Sequence, residues 1–170
     1  MDIKDRVVSM TRIPAKNLRP HPLNWRTHPE AQQDAMRGIL AEVGIADTLL
    51  VYNSQKHGNN TIIDGHLRAD VDPSIKWPCI VLDVNDEEAE KVLATHDPLA
   101  SLATIDGGNL DALLTGITMD NPALNAMLEE LNERSKLIID TPPDDFPEVD
   151  ENIETSHECP KCGYQWSDGT

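Results

Sequence analysis

The chain has 170 residues, with 14 Lys+Arg against 30 Asp+Glu, a formal net charge of −16 and only 4% aromatic residues. No run approaches the ~18 apolar residues of a membrane span, and the first ten residues lack the charged-then-apolar layout of a secretion signal. Three cysteines make no disulfide framework and point to a reducing, cytoplasmic setting. These features exclude a membrane protein and a disulfide-stapled module. They also disfavour a non-specific DNA binder, which needs a basic surface.

Residues 1–40 hold seven Lys/Arg and four Asp/Glu, whereas every later stretch is net acidic. A local basic cluster on an acidic protein can bind a small anion such as a nucleotide. Arg12, Lys16 and Arg19 read equally well as solvated flanks of a strand and a loop.

Alternation over residues 6–13 predicts a first strand, closed by Pro14. Residues 17–26, with two prolines and two asparagines, read as loop. Thr27 and Glu30 have the spacing of a capping box. Behind them Ala31, Ala35, Met36, Ile39, Leu40 and Val43 form one helical stripe, which Gly44 is placed to end. Residues 49–52 and 61–63 read as two strands of a hairpin around the turn 54–60. A short helix opens after Asp64-Gly65 and stops at Asp72-Pro73. Residues 79–82 form a buried strand. Asn85 and Glu88 predict a capped helix over 86–95, and residues 109–115 and 122–135 two more helices. Residues 141–156 hold three prolines and six acids and read as a disordered acidic linker. The expected fold is α+β, with a small mixed sheet and packed helices.

The turn Asp64-Gly65-His66-Leu67-Arg68 carries the chemistry. A strand that stops at Gly65 and opens into a helix leaves backbone N–H groups free, which together with the helix dipole favour a phosphate. His66 offers a donor and Arg68 a fork suited to phosphate oxygens. Asp64 is a candidate base, or a ligand for Mg²⁺. The alternative is a plain glycine turn whose Arg68 pairs with Asp70 or Asp72.

Several segments, in order, resemble the ParB/sulfiredoxin superfamily, specifically the ParB-like N-terminal domains of phages and of genes beside DNA methyltransferases. They are Asn24-Trp25-Arg26 after the first strand, Gly44 before an apolar strand, Ile62-Ile63-Asp64-Gly65-His66-Leu67-Arg68, and Pro78-Cys79-Ile80-Val81. His96-Asp97-Pro98-Leu99 through Asp106 is similar to the tail of the methyltransferase-associated members. The likeness spans about residues 6–115 and implies a ParB/sulfiredoxin-like domain over 1–115. A helical extension over 116–140, the linker 141–156 and a tail 157–170 then follow.

The resemblance implies a nucleotide or phosphate site of Gly65, His66, Arg68, Arg26, His28 and Asn24, with Asp64 as the candidate catalytic residue. Arg26 and His28 read equally as a loop arginine and a helix-cap histidine. The CTP-binding partitioning proteins carry Gly-Glu-Arg-Arg, where this chain has Gly65-His66-Leu67-Arg68. Sulfiredoxins carry a nucleophilic Cys where His66 stands. Free-serine kinases of the superfamily carry Asp-Gly-His-His-Arg, one residue different from Asp64–Arg68. The implied cofactor is therefore CTP, or ATP/ADP, with Mg²⁺. No Glu-x-Lys is present, so metal-dependent nuclease chemistry has no support.

In the tail, His157-Glu158-Cys159-Pro160-Lys161-Cys162-Gly163 resembles one knuckle of a zinc ribbon. Cys159 and Cys162 are candidate Zn²⁺ ligands and His157 a candidate third, with Asp168, another subunit or a partner as the source of a fourth. The first functional reading is a ParB-like adaptor of phage or mobile-element origin in the bacterial host cytoplasm. It would act with a DNA-processing partner such as a methyltransferase or packaging enzyme, with weak or indirect DNA contact and with homo-oligomerisation left open. The second is an ATP/ADP-dependent small-molecule kinase, and the third a binding module with a decayed nucleotide site.

Overall fold

In the computed structural model, which describes residues 3–138 and 156–166, the chain forms two compact units, Met1–Ile139 and Asp140–Thr170. The first opens with β1 (Val7–Pro14) and a 3-10 turn at Ala15–Asn17. After α1 (Glu30–Glu42) come the hairpin strands β2 (Leu49–Ser54) and β3 (Gly58–Asp64), then α2 (His66–Val71) and β4 (Lys76–Leu82). Helices α3 (Asp86–Ser101), α4 (Gly107–Thr115) and α5 (Pro122–Ile138) complete it.

The sheet order is β1-β4-β2-β3, with β2 parallel to β4 and the outer pairs antiparallel. This is the small mixed sheet of the expected α+β class. Pro78 lacks an N–H, and it sits in β4 just before pairing with β2 begins at Cys79.

Period-two alternation sorts the core onto two faces. Leu49 and Val51 join Ile13, Ile62, Trp77 and Cys79 on one face, with Ala69 of α2 and the flank of Leu40 from α1. Leu50 and Tyr52 join Ile63 and Leu82 on the other, against Ala89 and Leu93 of α3. Burying each large side chain stabilises the fold by about 1.5–3 kcal/mol. The outer edge of β3 is covered by the segment after β1. Arg19 N donates to Asn60 O at 3.0 Å, and Ile62 N donates to Arg19 O at 2.8 Å. That stitch lays the following loop beside the end of β3.

Two sequence expectations are corrected. The Thr27/Glu30 capping box does not form; α1 begins at Glu30 with extended Pro29 at its N-cap and no side-chain cap. A cap at Thr27 would need His28 in helical conformation directly before a proline, which the proline ring disfavours. The helix expected over 86–95 continues to Ser101 through Pro98, after the capping box of Asn85 and Glu88 forms as read. Pro98 removes only the bond to the carbonyl four residues back, and the remaining ladder carries the helix on. The expected linker lies outside the described residues except Ser156. No described helix is long and apolar enough to cross a membrane.

Helix α5 packs on α1 at a glycine. A Cβ at buried Gly38 would lie 2.5 Å from Asn121 Cγ. Asn121 cannot swing away freely, because its Oδ1 accepts from Ala123 N and Leu124 N and caps α5. Glu42 Oε1 fixes the same turn by accepting from Asp120 N and Asn121 N. Gly→Ala inside a helix ordinarily stabilises by up to about 1 kcal/mol. Here the sign should reverse. Gly38→Ala is expected to cost about 1–2 kcal/mol through overpacking and cap loss. Equilibrium denaturation measures this, and a stabilised variant would show that α5 does not rest on Gly38.

Candidate functional site

β3 ends at Asp64 and Gly65 turns the chain into α2 with φ +97°. A side chain at Gly65 would be strained by that backbone angle, and its Cβ would lie 2.6 Å from Leu49 Cγ. The next residue, His66, is buried, and its Nε2 accepts from His21 N at 3.2 Å. This bond joins the turn to the proline-rich loop. An accepting Nε2 assigns the ring proton to Nδ1, so His66 retains one donor. Burial lowers the His66 pKa to about 4, with Asp64 and Asp97 opposing and His21 and His28 adding to the shift. The ring is therefore neutral at pH 7.

The loop is shaped by its own polar groups. Asn24 Oδ1 accepts from Arg26 N at 3.3 Å, and Asn24 Nδ2 donates to Arg26 O at 3.5 Å. Asn24 thus helps to hold Arg26 in place, and its second amide N–H remains available. The Arg26 guanidinium lies 5.1 Å from the centre of the Trp25 ring, and its Nε lies 2.8 Å from Asp97 Oδ2. The Nε–H direction is off-line for a hydrogen bond with that carboxylate, so the pair is held by charge. His28 Nδ1 lies 3.0 Å from Oε1 of Gln32, in the first turn of α1.

Arg68 pairs with neither Asp70 nor Asp72. Its Nη2 donates to Asp64 Oδ2 at 2.6 Å, its Nη1 pairs with Asp47, and its buried Nε has no hydrogen-bond partner. Ligand atoms of Asp64, at the end of β3, and of His96 and Asp97, in α3, all lie within 4.8 Å of one another. Among the described residues this is the one set of three His, Cys, Asp or Glu side chains placed to share a cation.

Asn24, Arg26, His28, Asp64, Gly65, His66 and Arg68, the residues read from the sequence, all line one cavity of about 130 Å³. Trp25, Gln32, Met36, Leu67, Leu93 and Asp97 are also in its wall. A second recess of about 320 Å³ adjoins it along Trp25–His28 and Gln32. Sequence reasoning missed the part played by Asp97 and His96. Their signal was the His96-Asp97-Pro98 segment, read as family likeness without a role. Nothing in the sequence marked Asp47 as a partner of Arg68.

No protein-family model and no curated protein matches the sequence. Among solved structures, the chain is similar to a C-terminally truncated chromosome-partitioning protein ParB from Caulobacter crescentus, complexed with CTP-gamma-S. The TM-score is 0.51 at 18% identity, over 64% of this chain and 61% of that one. The fold is ParB-like. The likeness spans about three fifths of that truncated chain.

In the second unit, β5 (His157–Glu158) and β6 (Gln165–Trp166) pair as a hairpin. Cys159 N donates to Tyr164 O at 2.8 Å and Gly163 N to Cys159 O at 2.9 Å, with Gly163 at φ +73°. Backbone N–H groups of Lys161 and Cys162 hold the Cys159 thiol below its ordinary pKa. His157 stacks on Trp166 across the hairpin, ring centres 5.5 Å apart. It is not gathered with both sulfurs into a three-ligand set. Asp168 lies outside the described residues.

The neutral, buried His66 makes stability depend on pH. Its folded pKa lies below the unfolded value of 6.5, so its contribution is complete above pH 6.5 and is lost as pH falls toward 4. The loss by pH 4.5 is on the order of 2–3 kcal/mol. His66→Gln should show a shallower fall over this window in denaturant titrations at pH 7 and 4.5. Equal losses in both proteins would mean that His66 is not held neutral.

Proposed function

We propose that the chain is a ParB-like nucleotide-binding protein of phage or mobile-element type. It takes its nucleotide as a magnesium complex, with the phosphates in the Gly65 cavity. The observation that carries this reading is the meeting of Arg26, His28, Gly65, His66 and Arg68, from two separate stretches of chain, around one phosphate-sized space. The adjoining recess beside Trp25 has room for a nucleoside.

The charges around the cavity decide the form of the ligand. Arg26 and Arg68 are offset by Asp47, Asp64 and Asp97. A polyphosphate alone would meet no net attraction there. A divalent cation shared by Asp64, His96, Asp97 and phosphate oxygens reverses that balance. Mg²⁺ suits two carboxylates plus phosphate, while His96 widens tolerance toward Mn²⁺. Asp64 then serves as a cation ligand, with Arg68 fixing its Oδ2. The C-terminal hairpin holds Zn²⁺ through Cys159 and Cys162 and, with the acidic segment before it, docks a DNA-processing partner such as a methyltransferase or packaging enzyme.

Calorimetric titration with CTP, ATP and ADP, each with Mg²⁺ and with EDTA, tests the nucleotide reading. Saturable binding that needs Mg²⁺ and weakens at least about tenfold in Arg26→Ala is expected, as for loss of a charge-assisted phosphate contact. Preference for CTP supports the ParB-like reading. Preference for ATP or ADP with phosphate transfer to free serine would establish the kinase alternative instead. Binding of none of them would leave a decayed site.

A further inference from the structure

We infer that the Cys159–Cys162 hairpin is half of a zinc site whose other half is the same hairpin of a second copy of this chain. One Zn²⁺ held by four thiolates would thus join two chains. This rests on the zinc reading of the hairpin given above and goes beyond it in naming the source of the missing ligands.

The hairpin is built to hold thiolates. The bond from Gly163 N to Cys159 O closes the turn, and Gly163 takes a left-handed conformation that suits glycine. The backbone N–H groups of Lys161 and Cys162 lie within hydrogen-bonding reach of the Cys159 sulfur. Backbone donors of this kind stabilise a metal-bound thiolate. Cys162 is exposed and Cys159 half-buried, so a metal can reach both.

The hairpin offers two sulfurs, and a structural zinc takes four ligands. The third cysteine of the chain does not supply one. Cys79 is fully buried in β4, its Sγ donates to Trp77 O at 3.4 Å, and burial pushes its thiol up. Neither His157 nor Glu158, the other ligand-bearing side chains of the described hairpin, joins the two sulfurs in a shared ligand set. A second copy of the hairpin supplies what is lacking, two thiolates in the same geometry. A two-fold axis through the metal then makes the contact self-complementary and closed. Tyr164 and Trp166, 69% and 41% exposed with ring centres 6.2 Å apart, give this small hairpin an aromatic surface that the pairing would cover. The chemistry is ligand exchange without redox change. Zn²⁺ replaces up to four thiol protons, which pass to solvent, and leaves a four-thiolate centre of net charge about −2.

The test uses the full chain kept reduced. Zn²⁺ is titrated against a chromophoric chelator, Co²⁺ is titrated by absorption, and mass is followed by light scattering. Saturation at about one metal per two chains, with the Co²⁺ spectrum of a tetrahedral four-thiolate site, is expected. Cys162→Ser should abolish both. If the chain is monomeric without metal, its mass should double on loading and return with chelator. Saturation at one metal per chain, or a Co²⁺ spectrum with fewer than four thiolates, overturns the pairing but leaves the zinc reading standing. Failure to bind either metal overturns both.

Discussion

The site depends on one buried hydrogen bond, from the backbone N–H of His21 to Nε2 of His66. An acceptor is available there only because the imidazole is neutral, and it is neutral because it is buried. The bond fixes the His66 tautomer and brings the proline-rich loop against the Gly65 turn. Once the loop is anchored, Asn24 folds it back on itself and Arg26 is delivered to Asp97 of α3. Loop, turn and helix thus meet through a group that would repel its partner if charged. The stitch of Arg19 along β3 sets the same loop in register two residues upstream.

Around that anchor the charges are paired before any ligand arrives. Arg68 bridges Asp64 and Asp47, and Arg26 sits on Asp97. Pre-pairing keeps two partly buried guanidinium groups from carrying an uncompensated desolvation cost. It also sets the condition for anion binding. A phosphate must either displace a carboxylate from an arginine or bring a cation that makes the carboxylates useful. The second route leaves the ion pairs intact, so it demands less rearrangement of side chains already held in place.

Much of this was legible in the sequence because it rests on local rules. The Gly65 turn, the Asn85 capping box and the alternating strands are decided by residues within a few positions of one another. The Thr27 cap failed on an equally local point, the effect of Pro29 on His28. What stayed hidden was long-range pairing. Asp47 and Arg68 are 21 residues apart, and Arg26 and Asp97 lie on a loop and a helix that meet only after the sheet has formed. Residue type marked these side chains as charged, but only the topology tells which carboxylate each arginine meets. Asn24 lines the cavity as read, and its amide also serves the loop, which local sequence did not show.

The substitutions in the Gly-x-x-Arg segment follow from the same packing. Leu67 is buried and lines both the polar cavity and an apolar cleft between α1 and α5, beside Met36, Leu124 and Met127. An arginine there, as in the partitioning proteins' box, would have to leave the cleft or carry its charge among methionines and leucines. His66, where that box has Glu, is committed to the loop as a neutral acceptor. An ionised carboxylate there would place an unpaired negative charge in the same buried position, beside Asp64 and Asp97. The two changes therefore belong together. They remove one positive and one negative charge from the turn and leave its net charge unaltered. Arg26 and Arg68 remain as the cationic side chains of the cavity, and Asp64 and Asp97 as its carboxylates, with His96 beside them.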